Sequence, residues 1–154
     1  MIFEFKEELL QFIWQHSLYN GLAAITVDGD QVIIIHPGVL NLNSGPDFEN
    51  AKVQIGKTIW HGSIEIHLKS SDWLKHSHQN DHAYKNVILH VVYIHDISLP
   101  NFLIPTLELK SILSKEVLNR YLNFKFQLQH QIPCESFIPK IDSFTKITFI
   151  EKLL

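Results

Sequence analysis

A single cysteine, Cys134, stands in a chain of 154 residues. It has no partner for an internal disulfide, and such sparse thiol usage points to a reducing compartment. A cytoplasmic location is expected. Arginine is nearly as scarce: the 13 basic residues include one, Arg120, and the formal net charge is −3. Binding to a nucleic-acid backbone draws on many Lys and Arg contacts. The composition therefore gives that class no general support and leaves only a local basic patch. No apolar run reaches the ~18–20 residues that cross a bilayer. The opening MIFEFKEELLQFIW carries acids early and lacks the basic-then-apolar order of a secretory signal. No membrane partner is expected, and the chain shows neither internal repeats nor low-complexity segments.

What is present reads as globular. Hydrophobic content of 45% with 19% charged residues suits one domain with a real core. Phe3–Leu18 predicts an amphipathic helix, with Phe5, Leu9, Phe12 and Ile13 at helical spacing and Asn20-Gly21 as its stop. Leu22–Val27 and Gln31–His36 predict a hairpin across Asp28-Gly29. The run Ile33–Ile35 predicts a strand covered on both faces, and Val39–Gly45 a loop. Asp47–Ile55 and Ile59–Lys69 predict an antiparallel pair turning at Gly56-Lys57. Val87–His95 predicts a central strand, Thr106–Leu109 a short one, and Ser111–Gln129 a long helix. The expected fold is α+β: a mixed, mainly antiparallel sheet of about five or six strands, with an N-terminal helix and a long C-terminal helix. Residues 1–130 are expected to form a single α+β domain, and 131–154 the start of a further, truncated segment.

Ten histidines are the unusual feature, and five of them fall between Gly45 and His82. Along Trp60–Lys69 the alternation is strict. Trp60, Gly62, Ile64, Ile66 and Leu68 share one face, while His61, Ser63, Glu65, His67 and Lys69 share the other. Core packing is the better reading for Trp60. For the polar row, the plain reading is the solvent side of a half-exposed strand. The functional reading starts from Glu65 and His67, which point the same way two residues apart. Such a pair can hold a metal or work as acid and base. Asp47 follows Gly45-Pro46, a turn that makes the entry to the preceding strand rigid. Glu8 on the first helix is a weaker, third acid. A second cluster comprises Asp72, His76, His78, Asp81 and His82. Its i,i+4 pair His78/His82 has the spacing of helical zinc sites, but an exposed polar helix over Trp73–Tyr84 is the favoured reading. His90, set among Ile88, Val92 and Ile94, reads as a buried histidine hydrogen-bonded to a neighbour.

The order Pro46-Asp47, hairpin, Glu65-x-His67 resembles the PD-(D/E)xK phosphodiesterase superfamily, which includes restriction-type nucleases. The resemblance implies metal roles for Asp47 and Glu65, with Mg²⁺ or Mn²⁺ as cofactor; zinc, suggested only by the His78/His82 spacing, is the second choice. Asp47, Glu65 and His67 are then the catalytic set, and Lys69, His76 and His78 the substrate-binding set. His67 occupies the family lysine's place, and Lys69 lies one step further on the same face. Nucleic acid is the implied substrate partner. Over more of the chain, His36-Pro37-Gly38, Asn43–Phe48 (NSGPDF), Asn50-Ala51, Glu65-Ile66-His67, Ser71-Asp72-Trp73, His76-Ser77-His78 and Asn86–Tyr93 resemble an uncharacterised bacterial family of unknown function. Its members are longer, which implies a missing C-terminal portion of the same protein as a further partner. The competing functional class is a non-catalytic binding or assembly module, whose histidines hold a structural metal or a partner.

Overall fold

The computed structural model describes residues 6–98, 102–127 and 139–151. Its chain divides into two units, Met1–Ser114 and Lys115–Leu154.

The first unit is built on a six-stranded sheet in which β1 (Val32–His36), β3 (Phe48–Ile55), β4 (Thr58–Lys69), β5 (Val87–Ile94) and β6 (Thr106–Glu108) lie in that order, with β2 (Val39–Leu40) also pairing β3. Pairings of β3 with β1, β2 and β4 are antiparallel, whereas β4–β5 and β5–β6 are parallel. Mixed pairing follows from the connections. Gly56, at φ 57°, closes a tight hairpin between β3 and β4. The return from β4 to β5 runs through α2 (Asp72–Lys75) and two 3-10 turns, long enough for a parallel crossover. Helix α1 (Glu7–Gln15) buries Leu9, Leu10, Ile13 and Trp14. Trp14 Nε1 donates to Pro37 O at 2.9 Å, pinning the helix to the β1–β2 corner. Gly38 makes that corner possible: its φ is +95°, and a Cβ there would meet Glu49 O and Phe48 Cβ at 2.9 Å. Phe48, Val53, Ile64, Ile66, Leu89, Val91 and Leu107 complete the core with Leu10 and Trp14.

Several expectations are corrected. The first arm of the predicted hairpin is reduced to bridges at Ile25 and Thr26, because Thr26 pairs with Leu107 as well as lying beside the turn. Ile33 and Ile35 are exposed, since β1 is an edge strand with one open face. Val39–Leu40 is a strand and not part of a loop. Phe12 and Trp60 are half exposed. Trp60 belongs to Thr58–His61, the end of the β3–β4 hairpin that projects beyond the core. Phe5, Pro100 and Cys134 lie outside the described residues.

In the second unit, α3 (Lys115–Gln127) falls within the stretch predicted as a long helix. Its predicted first turn goes elsewhere: Leu113 N donates to Leu109 O, and Leu113 bridges Tyr19. The last helix, α4 (Ser143–Glu151), is short, with nine residues, in place of the long C-terminal helix expected. Asp142 caps it by accepting from Thr145 N at 2.9 Å. No helix among the described residues is long and apolar enough to cross a membrane.

The closest backbone approach is testable. A Cβ at Gly62 would lie 2.5 Å from Asn86 O and from Ile88 Cγ2, where β4 meets the start of β5. Gly62→Ala is expected to lower stability by about 1–3 kcal/mol through overpacking, measured by urea denaturation.

Candidate metal centre

The polar row of β4 is not a solvated face. Ser63, Glu65 and His67 are buried, the last at 1% exposure, and only His61 and Lys69 at the two ends are open. The segment after β4 covers them. It starts as α2, whose entry is tied to the end of β5: Ser71 N donates to Asp96 Oδ1 at 3.0 Å and Ser71 Oγ to Asp96 Oδ2 at 2.8 Å. Trp73 is buried beneath it. The expected helix over Trp73–Tyr84 breaks at Ser77, which adopts the left-handed conformation at φ 60°. Asp81 then caps the next turn by accepting from Ala83 N. His78 and His82 therefore do not form an i,i+4 pair. Instead His78 is buried toward the sheet while His82 is exposed.

Asp47 arrives from the other side. Asn41 holds its loop, donating from Nδ2 to Pro46 O at 3.0 Å and from its amide to Asp47 O at 2.7 Å. Asp47 Oδ2 accepts from Ile66 N at 2.9 Å, and Oδ1 from Gln11 Nε2 at 2.8 Å. The Asp47 amide donates in return to Glu65 Oε2 at 3.1 Å. The other Glu65 oxygen, Oε1, lies 3.4 Å from His67 Nε2 and 3.2 Å from His78 Nε2. His67 Nε2 is also 3.1 Å from His76 Nδ1, and His67 Nδ1 is 2.8 Å from His90 Nε2. Ring nitrogens of His67, His76 and His78 lie within 4.8 Å of one another, and this group could hold a metal ion. Tyr84 stacks on His78 at 3.8 Å between ring centroids, and Trp73 meets His67, His78 and His90 edge-on.

A family model described as a protein of unknown function (DUF2851) matches residues 7–154. The chain belongs to the DUF2851 family. No curated protein and no solved structure matches it. The family assignment agrees with the resemblance read from the NSGPDF, Glu65-Ile66-His67 and His76-Ser77-His78 segments.

In this DUF2851 chain the five residues Asp47, Glu65, His67, His76 and His78 meet at one place. Lys69 is exposed at the end of β4, where its amide donates to Asp72 Oδ2 at 3.0 Å. His90 is buried and bonded to a neighbour as expected, and that neighbour is His67. Three contributors escaped the sequence reading. Glu8 is exposed, and the acid that faces the centre from α1 is the half-buried Glu7, joined by Gln11 one helical turn on. Gln11, the polar residue inside the run Leu9–Trp14, was the available signal. Tyr84 gave none.

The electrostatics are those of a site short of positive charge. Burial, reinforced by Asp47, pushes the Glu65 carboxyl from 4.5 up to about 9. Burial raises Asp47 to about 6, against the bond from Ile66 N. Burial, then the neighbouring His90, His78 and His76, holds His67 down to about 2. His78 falls to about 4 and His90 to about 3, again chiefly by burial. The buried imidazoles are thus neutral, the form that ligates metals. A pH dependence follows for the chelator-treated protein. The raised Glu65 contributes stability in full below its ordinary 4.5, and this is lost as pH rises through about 9. The melting temperature is expected to fall between pH 6 and 9. Glu65→Gln should flatten that decline, which thermal melts across this range would measure.

Proposed function

We propose that this DUF2851 chain carries a metal-dependent hydrolase site that cleaves phosphodiesters, of nuclease-like type. The observation that carries the reading is the Asp47–Glu65 coupling, in which each carboxylate accepts from a backbone amide beside the other, 3.1 and 2.9 Å away. Two acids on adjacent strands, followed by His67 on the face of Glu65, is the order of the PD-(D/E)xK resemblance.

A bound divalent cation supplies Lewis acidity toward a phosphoryl oxygen. Asp47 and Glu65 provide the negative charge that keeps it there. His67, fixed through its Nδ1 by His90, turns its other nitrogen, Nε2, toward that cation. Hydrolysis adds the water oxygen to phosphorus and breaks one P–O ester bond. One water proton goes to a carboxylate of the pair, and the departing oxygen takes the other. The exposed His76 offers an approach for substrate, with Lys69 on the strand face of Glu65 and His67.

A second reading, a non-catalytic module with a structural metal, is favoured by the burial of Glu65 at 5%, His67 at 1% and His78 at 9% exposure. Cleavage of bis(p-nitrophenyl) phosphate and of single- and double-stranded DNA and RNA, with Mg²⁺, Mn²⁺ or Zn²⁺ added separately, decides between them. The hydrolase reading expects metal-dependent turnover that drops roughly 100-fold or more in Glu65→Gln and Asp47→Asn. Equal activity in wild type and Glu65→Gln would remove the role given to Glu65.

A further inference from the structure

We infer that the metal of this centre is a zinc-class ion, held by Glu65 together with His67, His76 and His78, and that His90 positions His67 for it. The inference uses the residues of the proposed site but does not rest on hydrolysis, which needs the exposed His76 to give way to water or substrate. An ion bound tetrahedrally with bonds of about 2.0–2.1 Å sets its ligand atoms roughly 3.3–3.4 Å apart. Three of the edges among these four residues lie close to that spacing: 3.1 Å from His67 Nε2 to His76 Nδ1, 3.2 Å from His78 Nε2 to Glu65 Oε1, and 3.4 Å from His67 Nε2 to Glu65 Oε1. His78 Nε2 is buried and makes no hydrogen bond, although it lies so near a carboxylate oxygen. A buried nitrogen in that position, aimed at the same point as its neighbours, is costly unless something fills the point.

The donor set decides the class of ion. Mg²⁺ prefers six oxygen ligands and keeps several waters. Here three of the four donors are imidazole nitrogens. Both Asp47 oxygens already accept from Ile66 and Gln11, and Glu65 Oε2 from Asp47. Nitrogen-rich sets with one carboxylate suit Zn²⁺ and its late first-row neighbours. His90 supports the arrangement. The Nε2 lone pair of His67 is free for a cation only in the tautomer whose Nδ1–H donates to His90 Nε2. That tautomer puts the His90 proton on its own Nδ1, which is buried without a partner among the described residues. His90 is therefore a positioning residue.

The test is a Co²⁺ and Zn²⁺ titration of the whole chelator-treated chain, followed by visible absorption and bound-metal content. Expected are one ion per chain, the strong visible bands of four-coordinate Co²⁺, displacement by Zn²⁺, and no displacement by millimolar Mg²⁺. His76→Ala changes an exposed residue and leaves the fold intact by circular dichroism; affinity should fall at least tenfold. His90→Leu should weaken binding about 10–100-fold, and His90→Gln, which restores an acceptor, should recover part of it. Should His90→Leu fail to fold, His76→Ala decides alone. No stoichiometric uptake, equal competition by Mg²⁺, or affinity unchanged in His76→Ala overturns the inference. Absence of cleavage by the metal-loaded wild-type chain would count against the hydrolase reading alone.

Discussion

Glu65 faces two ways, and the arrangement of the first unit follows from satisfying both. One oxygen accepts from the Asp47 amide, which ties the start of β3 to the middle of β4. The other sits before two imidazole nitrogens, which draws the segment after β4 down onto the sheet. A carboxylate at 5% exposure is expensive to bury. Its cost is spread over a rigid loop, a short helix and a neighbouring strand. Asp96 fastens α2 to the end of β5, Asn41 fastens the Asp47 loop, and Trp14 fastens α1 to the β1–β2 corner. These contacts involve none of the centre's own side chains, yet each sets where one of those side chains can lie.

The centre also explains why a polar row is sequestered on the longest strand. In an ordinary sheet the alternation of β4 would leave Glu65 and His67 in water. Here both strand faces are buried between Gly62 and His67, one by the apolar core and one by the histidine segment. Concentrating neutral imidazoles against two raised carboxyls is unfavourable in isolation. It becomes favourable once a cation supplies the missing charge.

Much of this was legible in the sequence because period and turn chemistry are local. The β3–β4 hairpin, the face shared by Glu65 and His67, the strand Val87–Ile94 and the short strand at Thr106 follow from alternation and from Gly56. The bonded, buried His90 followed from the apolar residues around it. What could not be read depends on long-range placement. The edge position of β1 exposed Ile33 and Ile35, although their β-branched run is typical of a covered strand. The left-handed Ser77 broke an apparent helix and turned His78 inward, where helical spacing had paired it with His82. Which acid of α1 faces Asp47 depends on the rotation of the helix, fixed by Trp14, and a one-residue difference separates Glu7 from Glu8.

The central claim is that imidazole nitrogens and a carboxylate oxygen converge on one ion. X-ray absorption at the zinc edge of the zinc-loaded chain tests it most directly. The account predicts four light scatterers at about 2.0–2.1 Å with the multiple-scattering pattern of three imidazoles. A shell of oxygen alone, without imidazole scattering, would contradict it.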